Sequence, residues 1–176
     1  QAAEQDFSRH LQPRFTRIRL AHLEEGSSFN QILDKLCAHK ARNQLIVDDT
    51  VSALKQGRTP LVITKRKEHA ALLADALTAA GQTVFLLTGD GTTQEKKRRL
   101  QEVQSVPDDT RFVIVATGSY LGEGFDEPRL DTLILAAPAS WEGVITQYSG
   151  RLHREHKGKN AVIVYDYIDA SVPMLD

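Results

Sequence analysis

The sequence predicts an α/β fold, a mainly parallel central sheet with helices on both faces in three α/β/α layers. Three observations predict it. Five short runs are continuously apolar: Leu61–Thr64, Val84–Leu87, Phe112–Ala116, Leu133–Ala137 and Ala161–Tyr165. A strand buried on both faces reads this way, whereas a half-solvated strand alternates. Helical stretches separate the runs, at Glu68–Ala80, Thr93–Gln104 and about Trp141–Arg154. That alternation is the pattern of parallel strands joined by crossover helices. Finally, hydroxyl, glycine and basic residues recur just after the runs, where such folds gather their ligands.

Before the first run the pattern differs. Residues 1–14 are polar and unpatterned, with no expected order. Phe15–Leu20 alternates apolar and polar residues, which predicts a strand with one solvated face. Gly26-Ser27-Ser28 is a turn with a helix cap. Phe29, Ile32, Leu33 and Leu36 then follow helical spacing. A second helix fits Ala41–Gln56, with a stripe of Leu45, Ile46, Asp49, Ala53 and Leu54, and stops at Gly57. We divide the chain into an N-terminal extension that is partly a strand (1–26), two preceding helices packed on the domain (27–57) and a core (58–176). No repeat or low-complexity segment is present.

The 176 residues carry a net charge of −1, so any basic surface is local. The single cysteine, Cys37, excludes an intramolecular disulfide and a cysteine-based zinc cluster, and is expected to be buried. No apolar run approaches the ~18 residues of a membrane span. No signal peptide opens the sequence, so the expected setting is cytoplasmic and no membrane partner is expected. A start at Gln1 suggests a processed product or a piece of a longer protein.

The residues just after each run suggest chemistry. The first run leads into Thr64-Lys65-Arg66-Lys67, the second into Thr88-Gly89-Asp90-Gly91-Thr92. The third leads into Thr117-Gly118-Ser119, and on to Gly122-Glu123-Gly124-Phe125-Asp126, and the fourth into Pro138-Ala139-Ser140-Trp141. Backbone N–H, hydroxyl and Lys/Arg groups are those that hold a phosphate backbone. On the last helix Gln147, Arg151 and Arg154 fall at i, i+4 and i+7, one face, with Gly150 at its edge. Two guanidinium forks beside a glycine suit a polyphosphate. Yet no G-x-x-x-x-G-K-[ST] phosphate cradle exists. The lone Gly158-Lys159 precedes Asn160, and no acidic pair ends a strand to hold magnesium. Arginines without a cradle suit the second half of a two-part ATPase, with phosphates bound on another domain.

Three stretches carry a family resemblance. LVITKRKEHA (61–70), VIVATGSYLGEGFDEPRLDTLILAAP (113–138) and QYSGRLHR (147–154) resemble motifs IV, V and VI of the C-terminal RecA-like domain of superfamily 2 helicases, the DEAD/DEAH- and restriction-type ATPases. LTGD (87–90) stands where the family has a further nucleic-acid-facing loop. The order is right over about residues 58–168. Motif V is written T-G-x-x-x-x-E-G-F-D rather than A-R-G-x-D, which is closer to restriction and phage-defence helicases than to the RNA-specific DEAD-box group.

The resemblance implies roles. Arg154 would be the arginine finger, Arg151 would touch the phosphates or an acidic group of the first domain, and Gln147 would position nucleotide or water. Gly124, Asp126 and Gly150 would face the nucleotide. Thr64, Lys65, Thr88, Gly89, Thr117 and Gly118 would hold the strand's phosphates. ATP is the implied cofactor, with Mg2+ held by the absent N-terminal RecA-like domain and no metal here. The implied nucleic acid is DNA rather than RNA. The chain alone would be inactive. Set against this motor are a non-hydrolysing RecA-like binding module in a defence or repair complex, and a small-ligand α/β domain. No Gly-rich turn leads from the first buried run into a helix, which disfavours the last.

Other signals have plainer readings. Lys96-Lys97-Arg98-Arg99 points several ways around a helix, a solvated face. His153-x-x-His156 lacks a third ligand for a metal. Trp141 fits packing at a helix entry, Asp90 local bonding in its turn, and Phe125 a buried plug beneath its loop.

Overall fold

The computed structural model describes residues 8–20, 23, 26–118, 120, 127–138 and 161–172. Among them the chain forms β1 (Ser8–Phe15), α1 (Phe29–Ala38), α2 (Lys40–Lys55), β2 (Pro60–Thr64), α3 (Lys67–Ala79), β3 (Val84–Leu87), α4 (Thr93–Gln104), β4 (Val113–Thr117), β5 (Thr132–Leu135) and β6 (Ala161–Ile168). Each apolar run from Leu61 onward became a strand within two or three residues of its expected bounds. The helix expected at Trp141–Arg154 lies outside the described residues.

The strands form one sheet in the order β1-β6-β5-β2-β4-β3, and every neighbouring pair is parallel. All C-terminal ends therefore meet at one edge. Strand side chains alternate between two apolar layers. Leu61, Ile63, Ile114, Leu133 and Val164 pack with Val103 of α4 and Leu33 and Cys37 of α1. Val62, Val113, Val115 and Ile134 pack with Ile46, Val47 and Leu54 of α2 and Leu73 and Leu77 of α3. Burying each such side chain contributes about 1.5–3 kcal/mol.

Local signals explain the helix ends. Ser28 caps α1 in a reciprocal capping box: its hydroxyl accepts from Gln31 N at 3.2 Å, and its own N–H donates to Gln31 Oε1 at 2.8 Å. Thr92 and Glu95 repeat the arrangement on α4. Gly57 follows α2 at φ 79°, a left-handed conformation that favours glycine.

The N-terminal strand needs correction. Strand structure was expected at Phe15–Leu20, after an unordered start. It occupies Ser8–Phe15 instead, paired from Ser8↔Ala161 to Phe15↔Ile168. An edge strand in a parallel sheet is held by its backbone ladder and by one covered face, so its sequence need not alternate strongly. On that face Arg14 makes a forked pair with Asp49 of α2, at 2.9 and 3.0 Å. Leu11 and Phe15 stay exposed. The alternation that suggested a strand at 15–20 has another use: Ile18 and Leu20 pack with Ile32, Leu36 and Val172 in a small third cluster.

Candidate nucleic-acid interface

The C-terminal edge of β2, β4 and β3 assembles the six described residues expected to face a strand. Thr64 pairs with Thr117 in the β2–β4 register, and Leu87 with Ala116 in β3–β4, so Thr88 comes level with Thr117. Three threonines thus form a row across three strands. All three are buried. One residue later the chain surfaces: Lys65 and Gly89 are exposed and Gly118 is half-buried. The backbone N–H of Gly118 donates to Thr64 O at 3.2 Å, tying the ends of β2 and β4 together. The threonine row shapes this edge from beneath, and the exposed residues above it are Lys65 and Gly89.

Charge at the edge is mostly matched. Arg66 lies 3.4 Å from Asp34 and donates to Asn30 at 3.2 Å. Lys67 pairs with Asp90, and Arg99 donates to the Asp90 carbonyl at 3.0 Å. The Asp90 side chain thus ties its turn to the start of α3 through Lys67, rather than bonding within the turn. Lys65 has no ion-pair partner among the described residues. Arg98 sits 3.9 Å from Glu102 one turn on, both solvated, as expected for the basic run on α4.

Beneath the edge lie polar groups that were not singled out in the sequence. His69, on α3, is buried. Its Nδ1 is 2.6 Å from Thr64 Oγ1, and its Nε2 is 2.8 Å from Asn43 Oδ1. Asn43 Nδ2 donates to Cys37 O at 2.8 Å. Burial, with the nearby Arg42 charge, lowers the His69 pKa to about 4, so the ring is neutral at pH 7. Burial likewise pushes the Cys37 thiol up to about 11.

A second network holds the β5, β6 and β1 ends. The fully buried Arg42 donates through Nε to both Asp169 oxygens, at 3.1 and 3.3 Å, and through Nη1 to Ala136 O. Asp169 also accepts from the Thr16 hydroxyl. Tyr167 packs below Arg42 at 5.8 Å and donates to Asp49 at 2.9 Å. A third polar anchor is Arg129. It forks onto Glu127 at 2.7 and 3.1 Å, reaches the Val106 and Val103 carbonyls at 2.6 and 2.8 Å, and stacks 4.7 Å over Phe112. One sequence signal could have found His69, Arg42 and Asn43. Each sits four residues before a buried apolar residue of its own helix (Leu73, Ile46 and Val47), so each falls on the inward stripe.

The expected nucleotide-facing residues Gln147, Gly150, Arg151, Arg154, Gly124 and Asp126 lie outside the described residues, as do Ser119, Phe125, Trp141, His153 and His156.

Comparison with known proteins adds to this geometry. The family described as "Helicase conserved C-terminal domain" matches residues 40–156. A cowpox virus (strain Brighton Red) protein named "Transcript termination protein A18" is 35% identical over 122 residues, 68% of this chain and 24% of that protein. The vaccinia virus (strain Copenhagen) protein named "Transcript termination protein OPG145" is 34% identical over the same length. The chain thus spans about a quarter of these relatives. Among solved structures, T4 UvsW superposes with TM-score 0.70 at 18% identity, covering 92% of this chain and 32% of that one. The E. coli DEAD-box protein SrmB superposes with TM-score 0.58 at 15% identity, covering 96% and 81%. At such identities these structures establish the fold alone.

Proposed function

The chain belongs to the helicase conserved C-terminal domain family, and on that premise we propose that it is the second motor domain of a superfamily 2 ATP-dependent nucleic-acid helicase or translocase. The observation that carries this reading is the convergence of Thr64, Lys65, Thr88, Gly89, Thr117 and Gly118 on one sheet edge. The exposed Lys65 side chain and the exposed Gly89 backbone there suit phosphates rather than bases. In this proposal Arg154 completes ATP hydrolysis from across a cleft, with Arg151 and Gln147 beside it and Gly124, Asp126 and Gly150 near the nucleotide. The sequence has no phosphate cradle, so ATP and Mg2+ would be held by an N-terminal RecA-like domain. Closure on ATP and reopening after hydrolysis would shift the backbone grip by a step.

DNA rather than RNA is the proposed track, because motif V lacks the wording of the RNA-specific group. The name of the poxvirus relatives makes transcript termination the first setting to test, ahead of restriction or phage defence. The test is ATP hydrolysis by the full-length protein with single- and double-stranded DNA and RNA. Hydrolysis should rise with DNA, and Arg154→Ala should abolish it while sparing nucleic-acid binding. Equal loss of both would move Arg154 onto the nucleic-acid track. Turnover by the 176-residue chain alone, lost in Arg154→Ala, would refute the split site.

A further inference from the structure

We infer that His69 is a positioning residue for nucleic-acid binding: a buried relay that holds the joined ends of β2 and β4 against the α1–α2 junction. This deepens the nucleic-acid reading above and rests on it.

The relay has one direction. Asn43 Nδ2 donates to Cys37 O, which leaves Asn43 Oδ1 as the acceptor facing His69. The proton between them must then be on His69 Nε2. A neutral imidazole carries one N–H, so Nδ1 is the lone-pair nitrogen and the Thr64 hydroxyl donates to it. The chain of donors is fixed at every link: Thr64 Oγ1 to His69, His69 to Asn43, Asn43 to Cys37 O. Every member is buried, and a group left unpaired there is costly.

The relay reaches function through Thr64. Its hydroxyl is held from below by His69, and its carbonyl accepts the Gly118 N–H across the strand pair. The next residue is Lys65, so the relay ends directly under the edge proposed to grip phosphates. Cys37 lies at the end of α1, and His39, which caps α2 by accepting from Arg42 N at 3.2 Å, lies two residues on. Three helices and two strand ends are thereby set relative to one another by four polar groups. Apolar packing alone would leave the strand ends free to shift, because it is non-directional.

Two substitutions split the relay. In His69→Asn the amide oxygen takes the place of Nδ1 and can still accept from Thr64, but does not reach Asn43. In His69→Gln the amide nitrogen takes the place of Nε2 and can still donate to Asn43, but leaves the Thr64 hydroxyl unpaired. The first measurement is amide hydrogen exchange at Gly118 in the 176-residue chain. Exchange should stay near wild type in His69→Asn and speed up about tenfold in His69→Gln, the loss of one buried hydrogen bond. The second is the nucleic-acid KM for ATP hydrolysis by the full-length protein. It should rise about tenfold in His69→Gln only, with kcat at saturating nucleic acid unchanged.

A merely structural histidine would make the two variants alike, and equal effects, or none, on KM and on Gly118 exchange would overturn the inference. If neither variant folds, Thr64→Val, nearly isosteric but without the hydroxyl, should reproduce the His69→Gln pattern, and unchanged Gly118 exchange and KM would overturn the inference equally. Gly118 exchange that follows the expected pattern, in a wild-type protein whose hydrolysis ignores nucleic acid, would instead refute the proposed function and leave the relay standing.

Discussion

Acidification should unfold this domain through His69, and the size of the effect comes from its burial. The unfolded ring titrates at 6.5 and the folded ring at about 4. Between those values the unfolded chain binds a proton that the folded chain refuses. Stability therefore rises with pH across this window and is lost as pH falls from about 6.5 toward 4. For these two pKa values the loss relative to pH 8 is about 2 kcal/mol at pH 5 and about 3 kcal/mol at pH 4. Arg42 contributes by its charge, and Asp34, Cys37, Arg66 and Glu68 line the same cleft as His69. Asp166 works in the opposite sense, since burial and the neighbouring Asp169 raise its pKa, and a folded state that takes up its proton early gains stability on acidification. Comparing wild type with His69→Asn cancels that contribution. Urea unfolding at pH 8, 7, 6 and 5 should show the wild-type midpoint falling faster than the variant's, by about 1 M at pH 5 for a urea dependence of ~2 kcal/mol/M. Parallel decline of the two proteins would refute the reasoning, as would an NMR titration placing the His69 ring near 6.5.

The other buried polar groups make further predictions. Arg42→Met leaves Asp169 buried without its charged partner, so unfolding free energy should fall by about 3–5 kcal/mol, with Asp169→Leu in the same chain recovering part of it. Arg129→Lys cannot reproduce a fork that reaches Glu127 and two carbonyls, and should cost about 1–3 kcal/mol in denaturant unfolding. Lys65→Ala should lower the slope of log affinity against log salt by about 1 on every DNA sequence alike, measured by anisotropy with the full-length protein.

Much of this molecule is legible in its sequence because two-sided burial leaves a strong mark. Leu61–Thr64 and Val84–Leu87 have little choice but to be interior strands, and Gly57 and Ser28 punctuate their helices by backbone conformation and capping. Thr64, Thr88 and Thr117 were placed at one edge by counting from strand ends, a deduction that parallel pairing makes secure. β1 was misplaced because an edge strand depends on its partner's backbone more than on its own side chains. The burial of the threonine row is not legible in the sequence for a different reason. A hydroxyl at a strand end reads as a ligand-facing group, and only the packing of α3 against the sheet turns Thr64 inward toward His69.

That inward turn changes how the edge should be understood. A threonine presented to solvent would contribute one hydrogen bond to a phosphate and could be lost at modest cost. A threonine bonded to His69 beneath and to Gly118 through its backbone sets where Lys65 and the end of β4 stand. Phosphate contacts of this kind carry no sequence information, so their usefulness to a motor lies in keeping register along a strand. Register requires that the gripping groups hold their spacing while domains open and close. Directional bonds among buried groups provide that rigidity better than exposed ion pairs such as Lys67–Asp90, which salt screens. The consequence is that sensitivity to substitution at this edge should be greatest one layer down, at His69 and Asn43, and weakest at the surface charges that first suggest nucleic acid.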